Sequence, residues 1–187
     1  MATRNVAVIV GSLRKDSYNR KLAQALARLA APGLAFQFLE IGDLPPYNQD
    51  LDSAFPAPAT RLKDQIRAAD AVLFVTPEYN RALPGVLKNA IDWASRPYGR
   101  SAFAGKPAAI AGASVGAVGT AVAQQQLRAI LGYLDMPTLG QPEVFIHFKE
   151  GLVAEDGTIT NEGTQKFLQS FVDKFTAWIE KISPAQN

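Results

Sequence analysis

The stretch Val6-Ala7-Val8-Ile9-Val10-Gly11-Ser12-Leu13-Arg14-Lys15-Asp16-Ser17-Tyr18-Asn19-Arg20 decides the fold. An apolar strand runs straight into a loop of hydroxyl, amide and guanidinium groups, and the loop runs into a helix. Such a loop leaves free backbone N–H groups at the positive end of a helix dipole. Ser12, Ser17 and Asn19 add neutral donors there, and Arg14 adds a planar cationic fork. An anionic ligand is the expectation. Gly11 is followed by no second glycine at dinucleotide spacing, and no Gly-Lys-Ser/Thr closes the loop, so neither common nucleotide signature is present. A mononucleotide cofactor fits better. Because a capping serine or asparagine reads the same way, one loop alone does not separate a ligand site from an ordinary helix start.

Outward from this unit, apolar runs recur at Asn5 to Val10, Ala35 to Ile41, Ala71 to Thr76, Pro107 to Ala113 and Glu143 to Phe148. Helical periodicity fills the gaps between them: Leu22, Ala25, Leu26 and Leu29; Leu62, Ile66 and Ala69; Leu83, Val86, Leu87, Ala90, Ile91 and Ala94; and Leu127, Ile130, Leu131 and Leu134. Pro84 stands near the first turn of the third helix, where its missing N–H costs little. A last helix carries Phe167, Leu168, Phe171, Phe175, Trp178, Ile179 and Ile182, an aromatic stripe that reads as core packing. Leu44 to Pro58 is proline-rich and reads as irregular. Near-continuous hydrophobic strands are buried on both faces, which means a parallel sheet between helix layers. The expected architecture is a single α/β domain over residues 1–187: a three-layer sandwich with a five-stranded parallel sheet in the order 2-1-3-4-5, the flavodoxin-like form. Periodicity does not tell whether Leu83 to Ala94 and Val122 to Leu134 face the sheet or a partner.

Composition narrows the chemistry. The chain has 187 residues, 48% of them hydrophobic, and a net charge of +2 from 19 basic and 17 acidic residues with no block of one sign. Neither nucleic acid nor an anionic membrane surface is the expected partner. With no cysteine and one histidine, thiol nucleophiles, thiolate metal sites and His-rich clusters are excluded. The apolar start before Arg14 is too brief for a signal-peptide core, and no apolar run reaches membrane-spanning length, so a soluble cytoplasmic protein is expected.

In a doubly wound sheet, ligands sit at the C-terminal ends of the strands beside the point where the winding reverses. The loops that matter therefore follow Val10, Thr76 and Ala113. The second is Thr76-Pro77-Glu78-Tyr79-Asn80-Arg81, where Pro77 stops the strand and turns the backbone outward. Tyr79 offers a planar ring and Asn80 both a donor and an acceptor, which suits a flat heteroaromatic with polar edges. The third loop runs from Gly112 through Ser114, Val115 and Gly116 to Gly119, with glycines that permit close backbone approach and a serine hydroxyl. Each loop alone is explained by turn formation, but three ligand-compatible loops at one sheet edge are harder to dismiss.

At these residues the chain resembles the NAD(P)H-dependent FMN reductases of the flavodoxin-like superfamily, which include quinone, azo-dye and chromate reductases. The resemblance rests on Gly11-Ser12-Leu13-Arg14 with Ser17 and Asn19, on Pro77-Glu78-Tyr79-Asn80, and on Leu83-Pro84-Gly85-Val86-Leu87-Lys88-Asn89-Ala90-Ile91-Asp92-Trp93. It implies FMN as cofactor with NADPH or NADH as hydride donor. It implies cofactor-binding roles for Gly11, Ser12, Leu13, Arg14, Ser17, Tyr18 and Asn19 around the phosphate, for Pro77, Glu78, Tyr79 and Asn80 at the ring, and for Ser114, Val115 and Gly116 at the ribityl chain and ring. It also implies a homodimer or dimer-based homotetramer with the flavin near the subunit interface. Asp16 departs from the commonest family loop, which carries a small residue there; a carboxylate at that point weakens phosphate binding unless Arg14, Lys15 or Arg20 offsets it.

Hydride transfer needs stacking and alignment more than a side-chain acid, because the cofactor carries the redox chemistry. No catalytic acid, base or metal is assigned. A shared site predicts a ping-pong cycle with parallel initial-rate lines, small molecules such as quinones being the electron acceptors. Asp50 and Arg81 are the candidate substrate contacts. Arg81 and Arg100 suit a dinucleotide phosphate or plain solvation, and Asn48 and Asp50 suit either a neighbouring subunit's flavin or a polar turn. Glu78 is better read as an ion-pair partner of Arg81 or a structural acceptor than as a proton donor, and His147 as a strand-end or interface residue. A non-enzymatic electron carrier similar to flavodoxin is the rival reading, disfavoured by the net charge of +2, since such carriers usually present a strongly acidic docking surface. A nucleotide-responsive binding module without turnover is a third.

Overall fold

Val6, Val8 and Val10 point to one face of the central strand and Ala7 and Ile9 to the other, and all five are buried. That alternation divides the core in two. The computed structural model describes residues 3–154 and 156–183. Its strands are β1 (Arg4–Val10), β2 (Leu34–Phe38), β3 (Ala71–Val75), β4 (Ala108–Ser114) and β5 (Val144–His147). Its helices are α1 (Tyr18–Ala30), α2 (Ala57–Ala68), α3 (Gly85–Ser95), α4 (Ala121–Tyr133) and α5 (Glu162–Ile182), with a short 3-10 turn at Gln49–Leu51 inside the proline-rich loop.

All strand pairs are parallel, in the order β2-β1-β3-β4-β5. Val6 to Val10 lie beside Ala71 to Val75, so β1 and β3 end level with each other. This is the flavodoxin-like arrangement expected, with the winding reversing between β1 and β3. Against Val6, Val8, Val10, Leu73 and Val75 pack α1 through Leu22 and Leu26 and α5 through Leu168, Phe171, Phe175 and Ile179. Against Ala7, Ile9, Val72, Phe74 and Ile110 pack α2 through Leu62 and Ile66, α3 through Leu87, Ala90, Ile91 and Ala94, and α4 through Leu127 and Leu131. Cutting Leu26 or Leu87 to alanine at these fully buried positions costs about 2–5 kcal/mol.

The sequence expectation of strands buried on both faces holds for β1, β3 and β4 but not at the edges. β2 shows a buried residue only at Leu34, and β5 alternates, with His147 exposed. An edge strand has one neighbour, so solvent reaches its flank. β2 also stops at Phe38 rather than Ile41; Leu39 still donates to Val8 O, but Leu39 and Ile41 turn to the opposite core. Pro84 is the cap of α3, immediately before its first turn, in keeping with the sequence reading.

Candidate functional site

The loop after β1 is built around an unsatisfied helix start. Ser17 caps α1, its Oγ accepting from Arg20 N at 3.3 Å, and the first turn holds no acidic residue. Ser12 is buried and its Oγ accepts from Arg14 N at 3.4 Å. The backbone N–H groups of Leu13, Lys15 and Asp16 meet no acceptor among the described residues. Arg14 lies 4.9 Å over the Tyr18 ring, which in turn stacks on Phe148 at 4.5 Å, and Arg20 lies over Phe38. Neither arginine is tied to Asp16 by an ion pair among the described residues.

Asn19 takes a different part from the side-chain phosphate contact the sequence suggested. It is buried, its Nδ2 donating to Ala113 O and its Oδ1 accepting from Ala113 N, both at 2.9 Å. Both ends of the amide are engaged, so the side chain fixes α1 against β4, directly under the third loop.

The loop after β3 turns where Pro77 predicts. Thr76, fully buried, donates from Oγ1 to Pro77 O at 2.8 Å. Tyr79 and Ala82 then pair through both backbone N–H groups, at 3.1 and 2.9 Å, closing a tight turn with Asn80 at φ 52° and Arg81 at φ 61°. Asparagine tolerates that region; arginine there is uncommon and costs of order 1 kcal/mol. Tyr79 is 53% exposed. Glu78 is the structural acceptor that was expected: its Oε1 receives Arg81 Nη1 at 3.1 Å, and its Oε2 receives Val122 N and Ala123 N at 3.0 and 3.1 Å, at the start of α4. Its side chain is only 7% exposed, against 68% for Arg81.

The loop after β4 meets the other two through close packing. A Cβ on Gly112 would stand 2.0 Å from Thr120 Oγ1 and 2.5 Å from Thr76 O, and one on Gly11 would stand 2.9 Å from Thr76 Oγ1. Only glycine fits at either place. Ser114 Oγ accepts from Gly116 N at 3.1 Å, and Val115 stands 64% exposed. A cleft of about 370 Å³ opens between this loop and the turn after β3, lined by Glu78, Asn80, Arg81, Ser114, Gly116 and Val118 among others.

The remaining sequence candidates fall elsewhere. Asp50 lies in the 3-10 turn, its N–H bonded to Asn48 Oδ1 at 3.0 Å. The adjoining Tyr47 is held to Asn89 of α3 and faces Trp93 edge-on, and burial pushes its phenol pKa up. That loop is fastened to α3, Pro45 O accepting from Asn89 Nδ2 and Trp93 Nε1. Arg100 belongs to the connection from α3 into β4, at the opposite edge of the sheet, where its carbonyl accepts from the buried Lys63. It does not join Arg81. His147 is an exposed strand-end residue beside Ser114.

Residues 4–151 match the family model described as NADPH-dependent FMN reductase. The chain belongs to that family. It is 55% identical over 174 residues to a 2-hydroxy-1,4-benzoquinone reductase of Burkholderia sp, covering 93% of this chain and 95% of that one. It is 52% identical over 178 residues to a quinone reductase of Pseudomonas putida, covering 94% and 95%. Among solved structures it is similar to FerB, a flavoenzyme NAD(P)H:(acceptor) oxidoreductase of Paracoccus denitrificans, with a TM-score of 0.92, 52% identity and coverage of 95% and 98%.

The cofactor of an FMN reductase carries a phosphate dianion and a flat ring, and this edge fits both. Unbonded amides and an acid-free helix start suit the phosphate, while exposed Leu13, Tyr79 and Val115 supply apolar surface for a ring. Sequence reasoning missed Thr76, Thr120 and Gln126. The first two are buried packing partners of glycines. Gln126 sits within the run Gln124-Gln125-Gln126, which in sequence reads only as a polar helix face.

Proposed function

We propose that this chain transfers a hydride from NADPH or NADH to bound FMN and passes two electrons to a quinone or a similar small acceptor, with azo compounds, chromate and free flavin in the same acceptor class. The observation that supports this reading most is the convergence of three loops on one sheet edge, where the loop into α1 keeps unbonded amides. FMN, when bound, accepts the hydride and releases the electrons. The chain's own part is to hold and orient. Ser12, Arg14, Ser17 and the backbone from Gly11 to Asn19, with Tyr18 as a shelf for Arg14, take the phosphate. Pro77 to Asn80 present the turn to the ring, and Ser114, Val115 and Gly116 border it from β4. Arg81, mostly exposed although paired with Glu78, is placed to meet a phosphate of the donor. No side-chain acid is assigned, since the Glu78 carboxylate is already engaged by two amides and a guanidinium.

The working form that suits the surface is a homodimer or dimer-based homotetramer. A groove of about 640 Å³ between α3 and α4, lined by Ile91, Ile130 and Leu134 and rimmed by Tyr98 and Tyr133, each at least 80% exposed, offers apolar area for a second copy. In such an assembly Asp50 is the residue offered to the neighbouring copy's flavin. The compartment that suits a nicotinamide-dependent enzyme is the cytoplasm, where the donor is regenerated. No helix among the described residues is long and apolar enough to cross a membrane.

An anaerobic absorbance titration of the FMN-loaded protein with NADPH, followed by a quinone, tests the reading. Bleaching of the flavin band by about one equivalent of NADPH and its return on adding quinone are expected. Flavin that binds without bleaching would favour the electron-carrier reading, and a protein that never takes up FMN would end the proposal.

A further inference from the structure

The turn Tyr79–Ala82 is an odd thing to leave at a surface. Two successive residues with side chains, Asn80 and Arg81, hold left-handed φ values of 52° and 61°, and no glycine relieves either. The paired N–H groups of Tyr79 and Ala82 close the turn but do not tether it to the protein. The tether comes from α4. Gln126 spans the far side of the turn with both ends of its amide: Oε1 accepts from Leu83 N at 3.2 Å and Nε2 donates to Arg81 O at 3.0 Å. Glu78 anchors the near side, accepting from Val122 N and Ala123 N of the same helix and from the Arg81 guanidinium.

From this arrangement we infer that Gln126, acting with Glu78, is a positioning residue for the flavin ring, an inference that rests on the FMN reading of the site. Because α4 continues directly from the loop Ser114–Gly119, fastening the turn to its first two turns makes the β3 and β4 loops one body. The cleft between them keeps its width only while both clamps hold. Strained backbone persists where surroundings over-determine it, and it concentrates where a ligand needs a fixed surface. Gln126 is itself exposed, one residue from the buried Leu127, so the core does not depend on it.

The test compares wild type, Gln126→Leu and Glu78→Gln in the full chain. FMN affinity is measured by fluorescence quenching, bound-flavin order by visible circular dichroism, and the melting temperature is taken without FMN. For Gln126→Leu, FMN binding weaker by about tenfold is expected, the ratio that re-ordering about one released backbone residue of the turn at each binding event gives. A diminished flavin dichroism and an FMN-free melting temperature within about 2 °C of wild type should accompany it. Glu78→Gln, which keeps the shape but halves the acceptors, should shift affinity in the same direction. Wild-type affinity and dichroism in Gln126→Leu would overturn the inference, as would a fall in melting temperature that accounts for the lost affinity. A wild-type chain that binds no FMN would take down the site reading and this inference together.

Discussion

Two helices begin at the same edge of the sheet, and the chain treats their positive ends in opposite ways. α1 starts after β1 with a neutral serine cap, no acid in its first turn and loop amides that meet no acceptor. α4 starts after β4 with Thr120, whose side chain makes no capping bond, and Glu78 reaches over from the β3 loop to fill its first amides with a carboxylate. Both ends attract an anion for the same reason, the aligned peptide dipoles and the unbonded N–H groups. One end is filled from within by a carboxylate; the other has none. Of these two ends only that of α1 is open to a phosphate, and the turn that carries Glu78 is fixed as a by-product.

The largest effect should come from disturbing the ground beneath both ends. Gly112→Ala would press a methyl against Thr120 Oγ1 and Thr76 O, one a tightly held side chain and the other backbone. A stability loss of about 3 kcal/mol is expected from such overpacking, read as a fall in the denaturation midpoint with an unchanged slope. A wild-type midpoint would mean that the start of α4 is softer than its packing implies.

Removing the internal anion comes next. Glu78→Ala leaves Val122 N and Ala123 N without their carboxylate and frees Arg81 from its partner. The expected loss is about 2 kcal/mol in the FMN-free protein, since charge-assisted bonds to a mostly enclosed carboxylate are among the stronger ones. Water can reach the vacated amides, which keeps the loss from being larger. A third change is smaller and sits at the other helix. Ser17→Ala deletes the cap of α1 and one hydroxyl of the phosphate loop; about 1 kcal/mol of stability should go. FMN affinity should fall with it, and a loss of stability with unchanged FMN affinity would restrict Ser17 to capping.

The asymmetry between the ends was partly legible in the sequence. The strand order followed from apolar runs alternating with helical periodicity, because buried parallel strands have no polar face to disguise them. The α1 end was legible too, since a strand, a polar loop and a capping serine are contiguous from Val6 to Asn19. What local pattern could not reveal were pairings across distance. Asn19 binds Ala113, Glu78 binds the amides of Val122 and Ala123, and Gln126 grips Arg81 and Leu83, partners that lie far apart in the chain and meet only because β1, β3 and β4 are neighbours in the sheet. The separation of Arg100 from Arg81 has the same origin, as α3 runs its whole length between them. Edge exposure of β2 and β5 likewise depends on strand order, not on the residues of either strand.

The sharpest test of the comparison makes α1 imitate α4. Ser17→Asp keeps a capping oxygen in place and adds a negative charge where the dipole favours one. The FMN-free protein should become more stable by about 0.5 kcal/mol, a modest gain because the site is open to solvent and salt. The sign check is that this gain requires the carboxylate ionised, so it should be present at neutral pH and vanish as pH falls below about 4. FMN affinity should move the other way, falling by more than about tenfold, because the new carboxylate occupies the amides and repels the phosphate. Thermal melts and flavin quenching on the same sample report the two quantities separately. If stability rises while FMN binds as before, the phosphate is not held at the start of α1, and the contrast between the two helix ends is one of folding alone. If stability rises and FMN is lost, the open end of α1 is a stability sacrifice kept for the cofactor, and the filled end of α4 shows what the same fold does when no ligand is expected.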